Sequence, residues 1–181
     1  MRDKTKKVTW KHLKPGTRIH GYSLEGCHTF APGTVVSANT AYVTYLAFDK
    51  DERKISSEAM FEIDMTQEEI YRKYKSTAKK VVEGLKNTVS EYEAGPHEMW
   101  NSWIRLDPLE MAATCEEEDM SVIGWFKLDI PKICMFGDDE LDIGIVAQYN
   151  DTGEKFWCHA YSKWLDDIFE NWNKYIEEFG E

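Results

Sequence analysis

Between Val8 and Ile63 the apolar residues come in short runs that alternate with polar ones or are rich in β-branched and aromatic side chains. Thr17–Tyr22, Thr34–Ser37, Tyr42–Phe48, Lys54–Ser57 and Met60–Ile63 each have that composition, which suits a pleated, half-buried surface. The runs are separated by turn signals at Pro15-Gly16, Pro32-Gly33, Asn39-Thr40 and Asp49–Glu52. Four or five short strands follow from this spacing. The period then changes. Thr66-Gln67-Glu68-Glu69 is a capping box, and Ile70, Tyr74, Ala78, Val81, Val82, Leu85, Val89 and Tyr92 fall near helical spacing. A helix is therefore predicted from Thr66 to about Tyr92, weakened at Gly84 by ~1 kcal/mol relative to alanine and ended by Gly95-Pro96.

Beyond it, Met99, Trp100, Trp103 and Ile104 suggest a short aromatic helix or loop. Asp107 as N-cap, Pro108 at the first position and Glu110 shortly after predict another helix, running into the acids at Glu116. A β-meander follows: Val122–Ile130, a possible strand at Lys132–Phe136, Leu141–Tyr149, a turn at Asn150–Gly153, and Lys155–Tyr161. Ser162 is placed to cap a last helix with Trp164, Leu165, Ile168, Phe169, Trp172, Tyr175, Ile176 and Phe179 on one side and Gly180 at its end. The expected fold is α+β. Residues 1–64 form a basic tail plus a small β-barrel, and residues 65–181 form an antiparallel sheet flanked by helices. On strand pattern alone, residues 14–64 resemble SH3-like and Tudor-like modules.

Composition adds that 42% apolar and 13% aromatic residues can fill a core in a chain of 181. No run reaches the roughly 18–20 apolar residues of a membrane span. The basic start, Met1 to Lys7, has no apolar segment behind it, so a cytoplasmic location and no membrane partner are expected. Cys27, Cys115, Cys134 and Cys158 are scattered and read as reduced, mostly buried thiols. The net charge of −11 is unevenly spread: residues 1–57 carry +5, residues 58–90 are neutral and residues 91–181 carry −16.

Known catalytic spacings fail. His97-Glu98 lacks the second histidine of a zinc-protease helix, because position 101 is Asn101. Cys27-His28 and Cys158-His159 are neighbours on strands, so each pair points to opposite faces and cannot converge on one atom. Counting a calcium loop from Asp138 puts Ile143 where glycine belongs and Tyr149 where an acid belongs. Phosphate-binding glycine loops are absent from the sequence. No cofactor and no metal ligands are expected, nor any catalytic residue.

What remains is charge. Glu116, Glu117, Glu118 and Asp119 precede the first strand of the meander, and Asp138, Asp139, Glu140 and Asp142 lie before its return. Two anionic clusters at the two ends of a buried strand can imitate spaced phosphates toward a basic channel, with counterion release and steering as the driving terms. The other charged surface is the head, where Lys4, Lys6, Lys7, Lys11, Lys14 and Arg18 could meet phosphates and Trp10 and Tyr22 could stack on bases. In its whole-chain profile of small size, dense Asp/Glu beside aromatics and no catalytic motif, the chain resembles anti-CRISPR proteins directed at the RNA-guided nuclease of type II systems. That resemblance implies a bacterial host cell, a CRISPR effector nuclease with its guide RNA as partner, and a non-enzymatic block of target-DNA engagement. The alternative is a nucleic-acid-binding accessory protein working on DNA through the basic head.

Overall fold

The computed structural model describes residues 4–98, 103–128 and 142–180, which divide into two compact units, one up to Gln67 and one from Glu68. The first unit is all β. Its strands are β1 (Thr5–Val8), β2 (Arg18–Leu24), β3 (Cys27–Ala38), β4 (Tyr42–Ala47), β5 (Glu52–Ser56) and β6 (Met60–Asp64). They form one antiparallel sheet in the order β1-β6-β2-β3-β4-β5. Among the described residues β1 and β5 are its two edges, so the sheet is open. One face carries its own core, with Ile19, Val35, Val43, Tyr45 and Phe61 almost fully buried. At roughly 1.5–3 kcal/mol per buried side chain of this size, such a core can hold a small unit together without a helix laid against it.

Two expectations for this unit are corrected. The lysine-rich start is not a frayed tail from Thr5 onward: Thr5 to Val8 pair with β6, and Val8 drops into the core opposite Phe61. Pro32-Gly33 is not a turn but lies within the twelve-residue β3. The β2–β3 register shifts between Ile19 and Gly21, and Pro32 falls in that bulge, where the missing proline N–H leaves no ladder bond unmade. Asn39 does make the tight connection, its Oδ1 accepting from the amides of Ala41 (2.9 Å) and Tyr42 (3.0 Å).

The second unit has helices α1 (Gln67–Gly84), α2 (Pro108–Glu117) and α3 (Ser162–Phe179), and strands β7 (Met120–Lys127), β8 (Asp142–Tyr149) and β9 (Lys155–Tyr161). The strands form an antiparallel sheet in chain order. One sheet face packs Val122, Ile143, Ile145, Phe156 and Cys158 against Tyr74, Val81 and Leu85 of the α1 segment, Met111 of α2 and Ile168 of α3. On the other, Ala94 joins Phe126, Leu128 and Val146 in a second cluster, supplied by a strap that follows α1. The strap pairs with both sheet edges, Thr88 beside Trp125 and His97 beside Trp157. His97 also stacks on the Trp157 ring at 4.2 Å, which gives that histidine a structural task.

Helix α1 therefore stops at Gly84, not near Tyr92. The Val89 amide donates to the Trp125 carbonyl (2.9 Å) and the Trp125 amide to that of Asn87 (3.0 Å), so hydrogen bonds to the sheet replace those of a longer helix. The Asp107 side chain caps α2 by accepting from the Leu109 amide at 2.9 Å. At α3 the N-cap is Tyr161, and Ser162 is the first helical residue. The expected strand at Lys132–Phe136 and the residues Met99, Trp100 and Ile130 lie outside the described residues. No described helix is long and apolar enough to cross a membrane.

Candidate functional site

Alternation along β2, β3, β4 and β6 sends Ile19, Val35, Val43, Tyr45 and Phe61 to the core and their neighbours to the opposite, outer face of the first sheet. That outer face is unusually apolar. Among the described residues, eight large hydrophobic side chains are exposed, and six of them are here: Phe30, Val36, Tyr42, Leu46, Phe48 and Met60. Phe30 and Phe48 are 75% and 68% exposed. The register sets Arg18 beside Thr34 and Thr34 beside Leu46, and the Arg18 guanidinium lies over the Phe48 ring at 5.7 Å. Single exposed hydrophobics need no explanation; a group of them with an arginine on one sheet face marks an interaction surface.

Apart from Met60, the β1–β6–β2 side of the same face is polar and internally paired. The His28 ring reaches across Gly21 to bring Nε2 to 3.0 Å from Glu62 Oε2, while Thr5 Oγ1 donates to Glu62 Oε1 at 2.8 Å. A Cβ at Gly21 would stand 3.4 Å from the His28 Nε2 and 2.4 Å from the Thr29 carbonyl oxygen, so only glycine leaves the ring that path. His20 and Asp64 make a second pair at 2.8 Å. The hydrogen bond from His28, then that from Thr5, hold the Glu62 carboxyl below the ordinary carboxylate range, against a smaller opposing effect of burial. A depressed folded pKa stabilises above the unfolded value, and that stabilisation is lost as pH falls through the folded one. Glu62→Gln is thus expected to cost up to about 1 kcal/mol near pH 6 and to lose its effect near pH 3. Thermal melts of both proteins at the two pH values check this; a gap unchanged by pH would contradict it.

The acidic residues singled out in the sequence are brought to two places. Glu116 and Glu117 end α2, Glu118 is its C-cap and Asp119 follows in a left-handed conformation; all four are exposed. They lie between the end of α2 and the start of β7 at Met120. Glu116 accepts from the Thr77 hydroxyl, and Asp119 accepts from Asn150 Nδ2 at 3.0 Å. Asp142 lies at the far end of the β7–β8 ladder, separated from Asp119 by the length of an eight-residue strand, roughly 25 Å. Its carboxylate meets His159 Nε2 at 2.7 Å. Asp138, Asp139 and Glu140 lie outside the described residues.

The basic head is dispersed. Lys6 and Lys7 are in β1, Lys11 is in the single 3-10 turn Trp10–His12, Lys14 precedes β2 and Arg18 begins it, while the Lys4 carbonyl accepts from the Met65 amide at 2.7 Å. Trp10 and Tyr22, expected to be free to stack on bases, are partly buried against the core, with Tyr22 6.5 Å from Phe61. Burial holds two of the thiols in their protonated form. Cys115 is buried and its pKa is pushed up to about 12 by desolvation and then by Glu116, and burial likewise raises that of Cys158. Cys158 points into the core while His159 pairs outward with Asp142, so the two do not converge. Cys27 is exposed, so two of the three described thiols are buried, and Cys134 is outside the described residues.

Sequence reasoning missed the outer apolar face. Its signal was present: in both β3 and Tyr42–Phe48 the two alternating phases are apolar, which a strand with one wet face does not need. Compared with known proteins, the chain matches no family model, no curated protein and no solved structure.

Proposed function

We propose that the chain is a non-enzymatic inhibitor that binds a nucleic-acid-handling enzyme, most concretely an anti-CRISPR protein that blocks target-DNA engagement by a guide-loaded type II nuclease. The observation that carries a protein-binding role is the outer sheet face, where six of the eight exposed large hydrophobics gather with Arg18. Aromatic and arginine side chains in such a setting supply most of the energy of protein interfaces. The DNA-mimicking part rests on Glu116–Asp119. Three acids crowd the carbonyl end of α2, where negative charge disfavours the helix by about 0.3–1 kcal/mol each. Facing solvent, they are available to a lysine- or arginine-lined channel, with Asp142 as a second anionic point. The short antiparallel strands around a private core also support placing the first unit among SH3-like or Tudor-like modules within this proposal.

The test is a cleavage assay with guide-loaded type II nuclease, matched DNA and increasing protein. Dose-dependent loss of cleavage is expected, at least tenfold weaker for Glu116→Lys/Glu117→Lys/Glu118→Lys and weaker at higher salt. Unchanged cleavage at large excess across several nuclease orthologues would overturn the anti-CRISPR form. A second reading, an accessory nucleic-acid binder, is favoured by Arg18 over the exposed Phe48 ring. A DNA and RNA shift assay separates it: that reading requires a shift by the protein alone.

A further inference from the structure

Helices α1 and α3 run antiparallel, the start of α1 lying at the end of α3, where the Tyr71 hydroxyl donates to the Gly180 carbonyl. Between them is a half-open groove of about 620 Å³. Val82, Phe169, Trp172 and Ile176 give it apolar walls. Along one side stand Lys75 and Lys79, at helical spacings of four and three that keep them in a single stripe with Val82, and Lys86 follows just past the end of α1. Lys86 is held by Glu83 at 3.0 Å. Lys75 and Lys79 have no ion pair among the described residues. That is unexpected in this unit: residues 68–181 contain 25 acids and 12 lysines and arginines, so carboxylates are in excess.

We propose that this groove binds a single-chain fatty carboxylate, with the acyl chain against Val82, Phe169, Trp172 and Ile176 and the carboxylate at Lys75 and Lys79. The volume lies within the range of small-ligand sites, roughly 300–1,000 Å³. Its shape selects a long ligand, because the lining from Tyr71 to Glu83 spans roughly 18 Å of α1. An α-helix of a partner, ~10–12 Å across with its side chains, would ride over a groove of this size and not enter it. Two unpaired ammonium groups beside an apolar trough complement one head charge and one apolar tail. Ser76 and Asn173, also lining the groove, add hydrogen-bonding groups beside the lysines. The site is separate from the surfaces assigned to partner binding and does not depend on that assignment.

The experiment titrates laurate, palmitate and the uncharged dodecanol into the full-length protein by calorimetry, below their aggregation concentrations, and follows tryptophan fluorescence for Trp172. Saturable binding at one site is expected, tighter for palmitate than laurate by up to about fourfold per additional methylene buried. Dodecanol should bind at least tenfold more weakly than laurate. Lys75→Glu/Lys79→Glu, at one half-buried and one exposed position, should weaken palmitate at least tenfold, with the melting temperature measured on the same sample. Equal affinity of the wild type and that variant, equal affinity of laurate and dodecanol, or no saturable binding would each overturn the proposal. So would light scattering that finds a dimer with this groove covered by a second copy.

Discussion

Replacing Gly84 with alanine is expected to lower the melting temperature of the second unit by roughly 10 °C, although helix propensity alone favours alanine by about 1 kcal/mol. The reason is the contact with β7. A Cβ built on Gly84 would stand 2.2 Å from the Val122 carbonyl oxygen and 3.0 Å from its carbon. Both are backbone atoms of a paired strand, so neither can turn aside as a flexible side chain would. Relief requires α1 to move off the sheet, and Tyr74, Val81 and Leu85 move with it out of contact with Val122 and Ile145. Overpacking of this kind costs about 1–3 kcal/mol, and backbone on both sides puts Gly84 at the top of that range. Six of the seven tryptophans belong to residues 68–181, so thermal melts followed by tryptophan fluorescence report chiefly on this unit. An unchanged or raised midpoint for Gly84→Ala would mean that the helix and the strand are not packed this closely.

Gly84 also illustrates which parts of the fold could be read in advance. Its cost in a helix is visible in the sequence; its role is not, because that depends on a carbonyl far along the chain. Elements whose ends are set by their own residues were legible. Asp107-Pro108 starts α2, Asn39 closes the β3–β4 loop, and Asn150–Gly153 turns β8 into β9, each through bonds to neighbours in the chain. Elements set by distant partners were not. The lysine-rich Thr5–Val8 becomes a strand because Asp64, Ile63, Glu62 and Phe61 offer a ladder, and Lys7 finds itself opposite Glu62. Val89 keeps helical spacing yet its amide is bonded to the sheet.

The same divide runs through the candidate sites. Charge is a property of composition and Asp107-Pro108 sets the helix start, so both the acidity of Glu116–Asp119 and its place at a helix end were evident. Asp142 looked like one more member of an acidic cluster, and the fold instead gives it His159. The apolar outer face was hidden for another reason. When both phases of a strand are apolar, alternation tells that two faces need cover but not which is the core. Only the pairing of β3 with β2 and β4 decides that Ala31, Val35, Val43 and Tyr45 turn inward, leaving Phe30, Leu46 and Phe48 outside.

Replacing both Phe30 and Phe48 with alanine is expected to weaken the proposed inhibition of a type II nuclease by roughly a hundredfold to a thousandfold while leaving the fold intact. Aromatic residues at the centre of an interface each contribute about 2 kcal/mol or more when truncated, and about 1.4 kcal/mol is a factor of ten. Neither side chain holds the unit together, since both are mostly exposed and the core lies on the opposite face. The folded protein loses only the Arg18 contact with Phe48, worth about 0.5–1 kcal/mol at an exposed site. The readout is the protein concentration giving half inhibition of cleavage, compared with the melting temperature of the same sample. Charge reversal at Glu116–Glu118 should act mainly on the rate of association and grow weaker in salt, whereas loss of the two aromatics should act on dissociation and persist in salt. If the double variant inhibits as well as the wild type, the outer sheet face is not the anchor, and the acidic helix end must then account for the binding energy by itself. If it fails to inhibit at every salt concentration while melting normally, the aromatics supply the grip and the carboxylates only guide the approach.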